Sequence, residues 1–290
     1  MIVALFQSFR VKQWTKNLLL FAGILFSQKI LDPDLLLLAV LGFVSFCMLS
    51  SAEYLVNDLL DLEKDRAHPI KSLRPLPSGR LSVHTAIFAA LLLFGGGLTL
   101  AFWLRTSFGT IALIYATLML LYSFFLKHIV ILDVIILASG FVIRAMAGAV
   151  VVDVVISSWL LICTIFLALF LGLCKRRYEL VLLGDEAIEH RKILGEYSPY
   201  LLDQMISVVT AGAVMSYALY TMAQETIAKV GSRNLIFTVP FVIYSIFRYL
   251  YIVHHKKLGG SPELDLIQDK SMVINIFLYL LVVALIIYTK

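Results

Sequence analysis

Charge is scarce in this chain. Of its 290 residues only 15% are Asp, Glu, Lys or Arg, while 61% are hydrophobic. A soluble domain is about 45–50% apolar and about 25% charged. A water-soluble globule of this length has no interior large enough for so much apolar surface. A soluble enzyme, a disordered chain and a coiled coil are therefore excluded. Strict alternation of polar and apolar residues is also missing: the apolar segments are continuous, which excludes a β-barrel. Cysteine is rare. Cys47, Cys163 and Cys174 lie in or at the end of apolar runs, without CxxC or metal-type spacing. They read as small buried apolar residues. Sequence repeats and low-complexity tracts are absent. The first ten residues lack both a long apolar run and a small-residue cleavage site, so no signal peptide is expected.

What the chain has instead is a series of apolar segments of bilayer-crossing length, about 20 residues each. Nine spans are expected, near 17–31, 35–56, 84–104, 108–126, 129–152, 157–174, 201–223, 234–253 and 272–289. The expected fold is an all-α integral membrane bundle of about nine transmembrane helices, with 1–290 as a single domain. Gly95, Gly96 and Gly97 fall mid-span, where they suit close helix packing rather than phosphate binding.

Orientation follows from the basic residues. With the N-terminus inside, 18 of the 24 Lys and Arg fall in inner loops and flanks. Five fall outside (Lys29, Arg105, Lys229, Arg233, Lys290), and Arg144 lies within a span. This bias favours a multi-pass protein of the inner (plasma) membrane with its long loops, 57–83, 175–200 and 254–271, on the cytoplasmic side. Polar chemistry is expected there.

The most informative stretch is Asn57-Asp58-Leu59-Leu60-Asp61-Leu62-Glu63-Lys64-Asp65-Arg66. If the second helix continues through it, Glu53, Asn57, Asp61 and Asp65 recur every fourth residue on one face, with Asp58 beside them. Like charges at that spacing repel, so something cationic must compensate them. Clustered carboxylate oxygens suit Mg²⁺, which binds through a few carboxylates and substrate phosphates. Asp58, Asp61 and Asp65 are the expected metal and catalytic residues, with Asn57 as ligand or neighbour. A loop stiffened by Pro69, Pro75 and Pro77 follows. Its Arg66, Lys71, Arg74 and Arg80 are candidate phosphate-binding cations. His68 reads as a hydrogen-bonding loop residue. Acid followed by base in one loop is the pairing that a magnesium-bound diphosphate requires.

Charges within spans must face the bundle interior. Asp133 and Arg144 are eleven residues apart, which returns a helix to within about 20° of the same face. Asp133, near the cytoplasmic mouth, is expected to orient Lys127 or a sugar hydroxyl. Arg144 is expected to form a structural interhelix pair, and Glu53 to support Asn57. Lys12, Trp14, Lys16 and Asn17 have the composition of an interfacial anchor. Glu263, Asp265, Asp269 and Lys270, after Gly259 and Gly260, are a candidate lid. Tyr197 and Arg191 are weaker candidates.

The spacing Asn57-Asp58-x-x-Asp61-x-x-x-Asp65 resembles the first aspartate-rich motif of the UbiA superfamily of intramembrane prenyltransferases. The longer string NDLLDLEKDRAHPIKSLRPLPSG is similar to one branch, the polyprenyl-phosphate phosphoribosyltransferases. FRVKQWTKN, YSFFLKHIVILDVIILASGFVIRAMAGA, CKRRYEL and GGSPELDLIQDK carry the likeness along nearly the whole chain. The resemblance implies nine helices, a cytoplasmic active site, and contact of Lys16 with substrate phosphate. It also marks a departure. Members that use prenyl diphosphate carry a second aspartate-rich motif after helix six. Here that place reads Lys175-Arg176-Arg177-Tyr178-Glu179, with Asp185 and Glu186 further on. One acidic and one basic motif suit two phosphorylated substrates. Phosphoribosyl diphosphate would lie with Mg²⁺ at the first motif. The phosphate of a polyprenyl phosphate lipid would lie near Lys175, Arg176 and Lys127, with Glu179 among the substrate-binding residues. A groove open sideways to lipid would admit the polyprenyl tail.

The expected activity is transfer of 5-phosphoribose from phosphoribosyl diphosphate to a polyprenyl phosphate, as in synthesis of a cell-envelope glycolipid precursor. The alternative is attachment of a polyprenyl chain to an aromatic acceptor. An anion transporter fits less well, because the acidic cluster lies at a helix end and no paired interrupted helices are seen. A purely structural membrane protein has no need of such a carboxylate–cation loop. Besides its substrates the expected partner is the bilayer. Nucleic acid is not expected, and a homo-oligomer stays open.

Overall fold

Helix starts follow local chemistry. Asp32, with Pro33 behind it, caps a long helix by accepting from the backbone N–H of Asp34 and Leu35 at 3.1 and 3.2 Å. Ser82 accepts from Thr85 N, and Ser198, followed by Pro199, from Leu201 N, each at 3.1 Å. Each cap satisfies an N–H that the first helical turn leaves open, and proline suits the first helical position. The computed structural model describes residues 2–27, 29–68, 71–183, 192–256, 259–260, 265–266 and 268–288. No strand occurs among them. Asp185, Glu186, Arg191 and Glu263 lie outside the described residues.

Two compact units are present, Met1–Ile156 and Ser157–Lys290. The first holds α1 (Ile2–Ser8), a 3-10 segment (Val11–Phe21), α2 (Ala22–Phe26), α3 (Pro33–Leu60), α4 (Leu62–Ala67), α5 (Val83–Leu104), α6 (Thr106–Phe124) and α7 (Leu132–Val151). The second holds α8 (Ser158–Leu183), α9 (Pro199–Met222), α10 (Gln224–Val230), α11 (Val239–His255) and α12 (Lys270–Tyr288).

Eight segments among the described residues are long and apolar enough to cross a membrane, where the sequence suggested nine. The missing one is the first. The stretch expected as a span at 17–31 is the end of the 3-10 segment followed by the five-residue α2. Its packing explains the departure. A Cβ on Gly148 of α7 would lie 1.9 Å from the carbonyl oxygen of Leu20, and one on Gly23 2.7 Å from Cα of Ala149. Backbone lies against backbone, so this segment is fitted to α7 and buries Asn17 and Leu20 there. A second difference concerns 175–183, expected as loop. It forms the last turns of α8, so Lys175-Arg176-Arg177-Tyr178-Glu179 is helical.

Small residues let the other helices approach, as they do where apolar lipid gives little drive for helices to associate. Ser45 of α3 donates to the Gly97 carbonyl of α5 at 2.9 Å. Cβ atoms on Gly96 and Gly97 would meet Met48 at 2.6 Å and Leu49 at 3.0 Å, whereas Gly95 faces open space. Phe46, Phe108 and Tyr115 fill the centre of the first unit. Phe88, Leu91 and Leu92 of α5 point outward, as lipid-facing residues do.

Candidate active site

The acidic motif lies where α3 ends. Asp61, at φ −95° and ψ 8°, separates α3 from α4, yet its N–H bonds Asn57 O and its carbonyl receives Asp65 N–H. The helical path is therefore nearly continuous. On an ideal helix Asp65 falls about 20° from Asp58 but about 40° from Asp61. That spacing sorts the carboxylates into two groups.

Asp58 and Asp65 share one cation. Arg74 Nη1 reaches Asp65 Oδ2 at 2.6 Å and Asp58 Oδ1 at 3.3 Å. Lys71 Nζ stands 3.9 Å from Asp65 Oδ1, and Arg10 donates a short bond to Asp58 Oδ1. Both carboxylates are almost fully buried. The second group is Asn57 and Asp61. Lys127 Nζ lies 2.9 and 3.1 Å from the Asp61 oxygens and 3.3 Å from Asn57 Oδ1. Three carboxylates thus face four cations drawn from three segments: Arg10 before the 3-10 segment, Lys71 and Arg74 in the loop after α4, and Lys127 before α7. This is the compensation that the like-charge spacing demanded.

The loop after α4 is anchored rather than free. Leu76 and Leu81 pack with Leu55, Ala86 and Ala90, and with Leu5 and Phe9 beside them. His68 Nδ1 accepts from Lys71 N–H. Arg80 donates to Leu73 O at 2.6 Å and approaches Gln7 Oε1 at 3.4 Å. Arg66 turns away and pairs with the exposed Glu63 at 2.8 Å, outside the clamp. Lys127 is carried by the strained loop before α7, where Ile131 is held at φ 69°. A β-branched residue at positive φ is costly, and such residues cluster at functional sites.

Below the clamp a buried polar network ties the unit together. Arg144 donates to Asn17 Oδ1 at 2.7 Å and to Tyr115 Oη at 2.6 Å, and it stacks on the Tyr115 ring. Tyr115 donates to Glu53 Oε2 at 3.0 Å, while Glu53 Oε1 has no partner among the described residues. Asn17 donates to Ser50 Oγ and Cys47 Sγ. Arg144 faces the interior as expected and joins three helices and the 3-10 segment. Asp133 is fully buried in the first turn of α7. Lys16 is half-buried within the 3-10 segment.

In the second unit Arg176 is buried and pairs with Glu179 at 2.8 Å. Arg177 grips Asp203, 3.4 Å from His254 Nε2. Lys175, half-buried, forms no salt bridge among the described residues. Asp269, a candidate lid residue, instead ties α11 to α12. It accepts from Arg248 at 3.0 and 2.9 Å, from Lys256 at 2.7 Å and from Met272 N–H. The Arg248 bonds, with those of Lys256 and the backbone, hold its carboxyl well below the usual range.

Asn57, Asp58, Asp61 and Asp65 present the hard oxygen donors that Mg²⁺ takes. No group of three His, Cys, Asp or Glu among the described residues is arranged as a metal site. Asp61 faces Lys127 while Asp58 and Asp65 face Arg74. The donor chemistry suits the ion, and the cations bonded to these carboxylates are of the kind that grips phosphate. Arg10 escaped the sequence reading as a site residue. It follows an ordinary apolar helix, and nothing in its spacing links it to Asp58.

Residues 18–261 match the UbiA prenyltransferase family. The chain is 31% identical over 287 residues to the decaprenyl-phosphate phosphoribosyltransferase of Mycolicibacterium smegmatis, covering 94% of this chain and 88% of that one. It is 35% identical to the enzyme of the same name from Corynebacterium glutamicum, covering 92% and 81%. Its fold matches a UbiA homolog from Archaeoglobus fulgidus solved with GPP and Mg²⁺, with a TM-score of 0.74, 21% identity, and 98% and 99% of the two chains covered. Descent, architecture and the aspartate clamp agree, and the chain belongs to the UbiA prenyltransferase family.

Proposed function

We propose that this protein transfers the 5-phosphoribosyl group of phosphoribosyl diphosphate to a polyprenyl phosphate and releases diphosphate. The observation that carries the reading is the acid-and-cation clamp of α3, α4 and Lys127, in a chain 31% and 35% identical to decaprenyl-phosphate phosphoribosyltransferases. The family match runs across both units, which supports reading 1–290 as one functional domain. The excess of Lys and Arg on the Asp61 side supports a clamp that faces the cytoplasm of the plasma membrane.

In the reaction a phosphate oxygen of the lipid attacks the anomeric carbon. A C–O bond forms there, and the bond to diphosphate breaks with its electron pair on the leaving oxygen. The transition state has oxocarbenium character, as in other glycosyl transfers. The nucleophile is already anionic, so no general base is needed. The protein's work is positioning and charge stabilisation. Asp58, Asp61 and Asp65, with Asn57, would hold Mg²⁺, which neutralises diphosphate charge when bound. Arg74, Lys71 and Lys127 exchange part of their bonding from carboxylate to phosphate oxygen. On α8, Arg176 pairs with Glu179 and Arg177 with Asp203, so Lys175 is the basic residue of that run without a salt bridge among the described residues.

The test is turnover by the purified protein in detergent with labelled phosphoribosyl diphosphate, polyprenyl phosphate and Mg²⁺. A labelled lipid is expected, lost with EDTA and with Asp61→Asn. No labelled lipid across several chain lengths, with product instead from prenyl diphosphate and 4-hydroxybenzoate, overturns the reading.

A further inference from the structure

The N-terminal segment meets the clamp at one residue. Arg10 sits between α1 and the 3-10 segment at φ 52° and ψ 52°, a left-handed conformation uncommon for arginine. It holds its guanidinium on Asp58 and over the Tyr54 ring, 4.8 Å from the centroid. Arg10 also lines a groove of about 700 Å³, together with Val3, Phe6, Gln7, Val11, Lys12 and Gln13. The groove has two chemistries. Val3, Phe6 and Val11 are exposed apolar side chains. Arg10, Lys12 and the two glutamines are polar, and no carboxylate is among these lining residues. Lys12 is exposed and makes no salt bridge among the described residues.

A free anion needs no apolar wall, and an apolar tail alone needs no cation. The combination fits an amphiphile with one anionic head and a long hydrocarbon chain. Resting on the function proposed above, we propose that this groove receives the polyprenyl phosphate acceptor. Lys12 and Arg10 contact its phosphate, and Val3, Phe6 and Val11 flank its first isoprene units. Arg10 belongs to both the groove and the clamp, so an acceptor phosphate held there lies beside the carboxylates assigned to the diphosphate substrate. Bringing two anions together in this way is what an enzyme joining two phosphorylated substrates must accomplish.

The experiment uses a polyprenyl phosphate bearing a diazirine in its first isoprene units, photolysed with the wild-type protein in detergent and mapped by mass spectrometry. Label is expected within residues 3–13, displaced by polyprenyl phosphate but not by polyprenol of the same length. Kinetics supply a second readout. Lys12→Glu is expected to raise KM for polyprenyl phosphate by about tenfold, with KM for phosphoribosyl diphosphate within about twofold of wild type and Lys12→Arg restoring affinity. Label confined to other segments, equal displacement by polyprenol, or an equal rise in both KM values overturns the assignment. The crosslink requires no turnover. Failure of the wild-type protein to make phosphoribosyl lipid would therefore refute the activity without bearing on where the lipid phosphate binds.

Discussion

Arg74 holds two carboxylates at once, and that double duty sets what its loss should do. Arg74→Ala leaves Asp58 and Asp65 side by side, nearly buried, with their shared donor gone. It also removes a guanidinium proposed to grip substrate phosphate. Activity should fall at least about 100-fold. Arg74→Lys keeps the charge but cannot span both partners, so it should recover only part of that loss. Steady-state rates of labelled-lipid formation check both variants. Tyr115→Phe separates the clamp from the network beneath it. It strips the donor from Glu53 Oε2 and the acceptor from Arg144. Thermal unfolding in detergent should show a loss of about 1–3 kcal/mol, and KM for phosphoribosyl diphosphate should change little. The aspartates of the clamp were legible because they lie within nine residues of one another on a helical repeat. Arg10 and Tyr115 were not. Their partners are 48 and 62 positions away, and a cation near an inner helix end is also what orientation alone requires.

At the scale of elements, the first unit depends on close approach at particular glycines. Gly148→Ala would drive a methyl group into the Leu20 carbonyl, and backbone cannot step aside as a side chain can. A destabilisation of about 1–3 kcal/mol or more is expected in detergent melts. Gly95→Ala, which meets open space, should be neutral or slightly stabilising through helix propensity. The glycine triplet could be read from sequence as a packing feature, but which glycine packs could not, because that depends on the facing side chains of α3. The same limit explains the first span. Residues 17–31 are apolar enough to suggest a crossing helix. Only the contact with Gly148 and Ala149 reveals a 3-10 segment fitted to α7. In the second unit Asp269 makes the α11–α12 joint sensitive to acid. Its bonds to Arg248 and Lys256 lower its pKa in the folded state, so it contributes stability above the unfolded carboxylate pKa of about 4. That contribution disappears as pH falls through the lower folded value. Asp269→Asn should therefore melt below wild type at pH 7, and the gap should close progressively below about pH 4.

Across the whole chain, the strongest constraint is which end of a bundle faces which compartment. In the first unit, Lys127 meets Asp61 at one end of α3 and α6. Arg105 meets Asp153 at 2.7 Å at the other end, between α5, α6 and the end of α7. Two salt bridges at opposite ends of these helices thus accord with the alternating span directions expected from the apolar segments. Charge distinguishes the ends. Lys64, Arg66, Lys71, Arg74, Arg80 and Lys127 cluster at the Asp61 end, and Lys29 and Arg105 at the other. The positive-inside rule favours the basic end in the cytoplasm, where the water-soluble phosphorylated sugar of the proposed reaction would meet the clamp. Lys64 and Asp153 are both exposed, at opposite ends, so single cysteines at these positions report orientation. With Cys47, Cys163 and Cys174 replaced by Ala, Asp153→Cys should react with a membrane-impermeant maleimide in intact cells. Lys64→Cys should react only after permeabilisation. The reverse pattern would place the aspartate clamp outside, where a cytosolic pentose diphosphate could not reach it, and the proposed reaction would have no route to its substrate.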